Sequence, residues 1–168
     1  MKKVLYLVFF SISTMLFIAC GAYSFTGGST GEAKTLQVDF FPNQASLVEP
    51  TLSQRFTQDL QDLFTRQTNL EPSSNNGDLH FSGEITDYRI TPMSSTANQT
   101  AAQNRLTITV NVRYVNKTDE KKDFEKQFSF YSDFDASAQL TGSVLEAALD
   151  EILERLTQDI FNSSVGEW

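Results

Sequence analysis

Cys20 is the only thiol in the 168-residue chain, and it stands where an apolar run stops, in Phe17-Ile18-Ala19-Cys20. A thiol so placed can be alkylated by a diacylglyceryl group to give a stable thioether. Cleavage just before it frees an amine that can take a third acyl chain. Lys2 and Lys3 make a short positive start, and positions 4–19 are apolar except for Ser11, Ser13 and Thr14. That run is shorter than the roughly 20 residues a helix needs to cross the hydrocarbon of a bilayer. Length and flanks therefore fit an exported leader, and the apolar-small-Cys ending resembles a bacterial lipobox. The reading is a lipoprotein signal peptide over 1–19 and lipid attachment at Cys20. A buried free thiol is the alternative, but a structural cysteine could fall anywhere, and this one falls at the end of the leader. Each buried methylene adds about 0.8 kcal/mol, so three chains hold a protein on a membrane without measurable release. Gly21, not an acidic residue, follows the anchor, which in well-studied Gram-negative sorting favours the outer membrane. With Cys20 consumed no disulfide can form, and the domain has to be stable by packing alone.

Other residues offer little catalysis. The single histidine, His80, lies in a strand on the polar parity, and a metal site needs several convergent ligands. Asp59 and Asp62, and Asp150, Glu151 and Glu154, fall away from the apolar stripes of their segments and read as solvated helix faces. No phosphate-binding loop, dinucleotide glycine pattern or nucleophile elbow occurs. The glycine-rich GGSTG at 27–31 neither follows a strand nor ends in Gly-Lys-Ser/Thr. No catalytic residue, metal ligand or cofactor is expected beyond the diacylglyceryl and N-acyl groups on Cys20.

Beyond the leader, 11 of the 13 basic residues remain against all 21 acidic ones. A chain so acidic gains little from the phosphate attraction that drives nucleic-acid binding, so no nucleic-acid partner is expected. Basic residues are informative because they are scarce. Arg89 and Arg105 end two segments that read as consecutive strands. If those strands form a hairpin, the two guanidinium groups come close at its loop end, a cationic spot able to hold a phosphate.

The elements that would carry these residues are legible from periodicity. Residues 20–33, rich in Gly, Ser and Thr, read as a lipidated flexible tether, although Tyr23 and Phe25 are unusual in a linker. Residues 34–41 alternate through Leu36, Val38 and Phe40, a half-buried strand stopped by Pro42. Leu52, Phe56, Leu60, Leu63 and Phe64 form one helical stripe over 51–68. Thr51 with Gln54 resembles a capping box at its start. SSNNG at 73–77 is turn chemistry.

From residue 78 a strand carries Leu79, Phe81 and Ile85 on one face. Its phase then slips, since Tyr88 and Ile90 have the other parity. That predicts a bulge near Asp87, with Pro92 as the end. Polar residues 93–103 read as a long hairpin loop. The next strand alternates cleanly: Leu106, Ile108, Val110, Val112 and Tyr114 against Arg105, Thr107, Thr109, Asn111 and Arg113. After a charged turn at 117–122, Phe124, Phe128 and Phe130 share one face of a last strand. The amphipathic stretch from Ser143 carries Leu145, Leu149, Ile152, Leu156 and Ile160, and Ser143 with Glu146 resembles a second capping box. The order β-α-β-β-β-α predicts an α+β two-layer sandwich over 34–168. It has a four-stranded, mostly antiparallel sheet and both helices on one face.

Read together, the lipobox with CGAYSFTG, FFPNQA, PTLSQRFTQDLQDLF, GDLHFSGEITDYRITP, AAQNRLTITVNVRYVNK and LTQDIFNSSVGEW resemble the LptE-like family of lipopolysaccharide-assembly lipoproteins. The likeness covers nearly all of the mature chain, in order, and no single motif carries it. The resemblance implies a two-layer α+β fold and a non-enzymatic role. Such proteins plug and help assemble an outer-membrane LptD-like β-barrel, the lipopolysaccharide translocon. They also assist lipopolysaccharide insertion into the outer leaflet. The implied partners are that barrel, lipopolysaccharide and the membrane itself, through the anchor on the periplasmic side. Only Cys20 is carried over from the family. Arg89 and Arg105 are lipopolysaccharide-binding candidates by strand geometry alone. A competing reading is a periplasm-facing lipoprotein that holds a small apolar ligand between sheet and helices.

Overall fold

The computed structural model describes residues 28–93 and 102–166. The leader, Cys20, Tyr23, Phe25 and most of the predicted hairpin loop lie outside these residues. The elements are β1 (Thr35–Val38), α1 (Leu52–Gln67), β2 (Glu71–Pro72), β3 (Leu79–Met93), β4 (Gln103–Asn116), β5 (Phe124–Asp135) and α2 (Gly142–Val165), with one turn of 3-10 helix at Glu120–Lys122.

The sheet has five strands in the order β2-β1-β3-β4-β5. β1 runs parallel to both β2 and β3, and β3, β4 and β5 are antiparallel. The sequence-based expectation of four strands is therefore corrected to five in a mixed sheet. The extra strand is only two residues long and fully exposed, too short for any alternation to reveal it. Parallel pairing of β1 with its neighbours requires a crossover, and α1 supplies it.

One residue fixes the entry of β1. The Asp78 carboxylate accepts hydrogen bonds from the backbone N–H of Lys34 at 2.9 Å and of Thr35 at 3.0 Å. The Asp78 N–H in turn donates to the Thr35 hydroxyl at 2.9 Å. The bonds from Lys34 first, then Thr35, hold this carboxyl below its ordinary pKa. Leu36 then pairs with Leu79 and Val38 with Phe81. Upstream, residues 28–33 do not leave the domain at once. The Ser29 N–H donates to the Val165 carbonyl at 2.8 Å, and Ala33 is buried.

The phase slip in β3 is a bulge. Ile85 pairs with Val110 and Asp87 with Thr109, leaving Thr86 as the extra residue. This keeps Tyr88 on the core side together with Leu79, Phe81 and Ile85. Pro92 does not end the strand but pairs with Asn104. It is tolerated because β1 pairs with only the first three residues of β3, which leaves the upper part an edge, where a missing N–H costs nothing.

Both helices cover one face. Phe64 of α1 meets Phe81 of β3 and Phe161 of α2, with ring centroids 4.8 and 4.9 Å apart. Phe81 stacks on Tyr114 at 4.7 Å, and Phe41 meets Phe56 edge-on at 5.0 Å. Burial pushes the Tyr114 phenol up to about 12. Neither predicted capping box forms. Thr51 turns back, donating its N–H and hydroxyl to Glu49, and the N-cap of α2 is Thr141, whose side chain caps nothing. Glu146 is instead held by Arg55 of α1 at 2.7 Å, and the same guanidinium binds Asp150.

Candidate functional site

Strand alternation sends every second residue of β3, β4 and β5 to the face that no helix covers. On β4 these are Arg105, Thr107, Thr109, Asn111 and Arg113. The pairing fixes what stands beside each one. Arg105 faces Asp133 of β5, Thr107 faces Arg89 of β3, and Arg113 faces Glu125.

The two sequence-predicted arginines do lie on one face. Arg105 opposes Thr91, two residues beyond Arg89, so the pair is diagonal across β3 and β4. Their surroundings differ. Arg105 is held fast: its Nε and Nη2 donate to the two Asp133 carboxylate oxygens at 2.7 and 2.8 Å. Its guanidinium also lies 3.5 Å from the centre of the Tyr131 ring. The bond from Arg105 drives Asp133 below its ordinary pKa. The Arg105 side chain is 28% exposed. Arg89 has a single carboxylate partner, Asp87 on its own strand at 2.8 Å, and its side chain is 63% exposed. The group free to meet an anion is thus Arg89. At this end of the sheet each of the two arginines is matched by an aspartate, Arg89 by Asp87 and Arg105 by Asp133.

The rest of the face is tiled in the same way. Arg113 pairs with Glu125 at 3.1 Å, and the bond from Arg113 lowers the Glu125 pKa. The Asn111 amide donates to Glu84 and Glu125 at 3.0 and 3.3 Å. The hydroxyls of Thr109 and Ser129 are 2.9 Å apart. Near β1, His80 Nε2 lies 2.7 Å from Asp39, whose other oxygen accepts from Gln37 at 2.8 Å. Partial burial pushes Asp39 up, but the bonds from Gln37 and His80 outweigh it, and the net shift is downward. His80 is a surface strand residue, as its parity implies. Thr107 and Thr109 are buried although they face away from the helices.

Among the described residues the helix carboxylates do not converge. Asp150 binds Arg55, Glu151 accepts from the Ser132 hydroxyl at 2.5 Å, and Asp59, pushed up by burial, stands on α1. Among the described residues no three His, Cys, Asp or Glu side chains are placed to hold a metal, and no helix is long and apolar enough to cross a membrane. What sequence reasoning missed is the set of acidic partners, Asp87, Asp133, Glu84 and Glu125. The partner of Arg105 was not recoverable from the turn alone: Tyr114 pairs with Phe124 and so sets Arg105 opposite Asp133, whereas strands closing directly over 117–122 would set it opposite Phe134.

Comparison with known proteins adds a family and a fold. The profile of the LptE family, described as lipopolysaccharide-assembly, matches residues 33–164. No curated protein sequence matches the chain. Among solved structures the chain is similar to a hypothetical protein of Chlamydia trachomatis. The TM-score is 0.52 and the identity 10%, over 76% of this chain and 93% of that one. It is also similar to a minor lipoprotein of Acinetobacter baumannii, with TM-score 0.45 and 13% identity over 81% and 98% of the two chains. The first likeness shows a common fold. The second is too loose to carry any argument.

Proposed function

Because the chain belongs to the LptE family of lipopolysaccharide-assembly lipoproteins, we propose that it is the lipid-anchored plug of an outer-membrane LptD-like β-barrel. In that role it helps the barrel assemble and assists lipopolysaccharide insertion into the outer leaflet. The anchor is the acylated Cys20, the domain lies on the periplasmic side, and the protein performs no catalysis. The observation that carries this reading is the helix-free sheet face. It is a broad polar surface on which charges meet opposite charges, so it can lie against a wet, polar wall without stranding a buried ion. The lumen of an outer-membrane barrel is such a wall.

The competing reading places an apolar ligand between sheet and helices. The packed rings of Phe64, Phe81, Phe161 and Tyr114 occupy that space. The described grooves open outward instead, between β5 and α2 and between the outer sides of α1 and α2. This favours the plug.

The test is purification of the lipoprotein from detergent-solubilised membranes, coupled with its depletion. Co-purification of a large outer-membrane β-barrel, and loss of surface lipopolysaccharide on depletion, are expected. Recovery of the lipoprotein alone, with surface lipopolysaccharide unchanged, removes the proposal. A Cys20→Ala chain is expected to leave the outer-membrane fraction, and mass spectrometry of the parent should find the cysteine acylated.

A further inference from the structure

Above its bulge, β3 has a strand partner on one side only. β4 pairs with it as far as Met93, whereas β1 pairs with it only from Leu79 to Phe81. The chain beyond β1 last bonds to it at Ile85. There the Ile85 N–H donates to the Pro42 carbonyl at 2.9 Å, and the Ile85 carbonyl accepts from the Gln44 N–H at 2.8 Å. Ile85 is a core-side residue, and side chains and main-chain groups alternate together along a strand. Core-side residues of β3 therefore aim their main-chain groups away from β4. Tyr88, which the bulge returns to the core side, points its N–H and carbonyl outward, and Ile90 does the same. Pro92 points out a carbonyl alone. Among the described residues these outward groups have no main-chain partner.

The surroundings are apolar. Of the six large apolar side chains exposed among the described residues, Ile90 and Met93 lie on this part of β3. Phe40, Leu47 and Val48 lie on the segment that runs beside it. That segment meets Ile85 at Gln44 and Tyr88 at Glu49: burial first, then the Glu49 charge, pushes the Tyr88 phenol up. The other long edge, β5, differs. It exposes Glu125, Lys126, Asp133 and Asp135, charges of the kind that keep foreign strands off an edge.

We propose that the upper edge of β3, from Tyr88 to Pro92, takes an added strand from the barrel partner, an extended segment with apolar side chains toward Ile90 and Val48. This rests on the chain being a barrel plug, and it names where on the plug the partner's polypeptide attaches. β3 forms the margin of the helix-free face assigned to the barrel lumen, so a segment reaching that face lies beside this edge. A lipid chain would cover the apolar side chains but leave the N–H groups of Tyr88 and Ile90 unpaired, which is unfavourable once water is excluded. A second copy fits poorly. Pairing the stretch antiparallel to itself about Ile90 sets Pro92, with no N–H, opposite Tyr88 twice. It also puts the two Arg89 side chains diagonally across one face. The strands of a closed barrel have no free edge, so the segment comes from a barrel loop or from a part of the partner outside the barrel.

The complex of the full mature lipoprotein with the barrel, purified from detergent-solubilised membranes, tests this by amide hydrogen exchange. The amides of Tyr88 and Ile90 are expected to exchange several-fold more slowly in the complex than in the lipoprotein alone. Ile90→Pro removes an outward N–H and none that faces β4, as Pro92 already does. It should lower barrel recovery several-fold while Tm and far-UV circular dichroism stay near those of the parent. Ile90→Lys, a charge of the kind that guards β5, serves in its place if proline disturbs the fold. A photoreactive residue at position 48 should cross-link to a barrel segment outside the membrane-spanning strands. If the barrel co-purifies but exchange at Tyr88 and Ile90 is unchanged, or a folded variant keeps full recovery, the added strand is overturned and the plug reading stands. A cross-link that maps to a spanning strand also overturns it. So does slow exchange in the lipoprotein alone, with sedimentation telling whether a second copy or the chain itself covers the edge. Absence of any barrel from the parent preparation removes both readings.

Discussion

At Gly83 the backbone of β3 takes φ +154°, and a Cβ there would stand 2.0 Å from the Asn111 carbonyl oxygen and 2.8 Å from the Phe41 ring. Neither neighbour is a flexible chain end: one is the backbone of β4 and the other a fully buried ring. Gly83→Ala should therefore cost at least about 3 kcal/mol, combining backbone strain with overpacking. Urea unfolding measures it, and a loss below 1 kcal/mol would mean β3 can move away from β4. Acid should act through other single residues. Asp78, Asp39 and Asp133 all lie below the ordinary 3.8 in the folded chain. A carboxyl depressed on folding contributes stability above its unfolded pKa and loses it as pH falls through the folded one. These groups should leave stability flat from pH 7 to 5 and erode it below about pH 4. Asp78→Asn should flatten part of that fall, and a parent Tm that does not drop on acidification would contradict the argument. Gly83 was visible in the sequence only as a glycine within a strand, because the Asn111 carbonyl it must clear is 28 positions away.

Elements with a period were legible, and elements without one were not. The stripe of α1, the clean alternation of β4 and the slip in β3 all leave a mark in the order of apolar residues, because burial of one face imposes it. β2 leaves none, since its two residues only complete an edge. The caps failed for a different reason. A capping box needs a side chain free to reach back to the first turn, and Glu146 and Thr51 are engaged elsewhere, by Arg55 and Glu49. The candidate site was half legible for the same reason. Parity put Arg89 and Arg105 on one face, but their acidic partners depend on strand register. The element whose removal should be felt most is the inner face of α1. Phe64 is fully buried and joins β3 to α2 through Phe81 and Phe161. Phe64→Ala should cost about 3–5 kcal/mol, read as a lower urea midpoint with an unchanged m-value. A cost near 1 kcal/mol would mean that α2 closes over the gap.

Across the described domain the chain's entry and the arginine end are opposite. The described chain enters beside the end of α2, where the Ser29 N–H meets the Val165 carbonyl, and passes Asp78 into β1. Arg89 lies eleven residues beyond Asp78, along β3, about 36 Å at strand rise. The entry of the described chain and Arg89 thus lie toward opposite ends of β3. Of the two arginines, Arg89 can be reversed in charge with little structural loss, because its one partner is Asp87 on the same strand. Arg105→Glu would leave Asp133 facing a second carboxylate and Tyr131 without its stacked cation. If the hairpin end receives an anionic lipid, Arg89→Glu should weaken lipopolysaccharide capture several-fold in a pull-down while shifting Tm by no more than a degree or two. Arg105→Glu should lower both capture and Tm. Arg105→Gln with Asp133→Asn, which removes the ion pair without repulsion, should recover the Tm but not the capture. Unchanged capture by Arg89→Glu would discard the hairpin end as the lipid-facing part of the plug. It would leave the paired sheet face as a surface for the barrel wall alone.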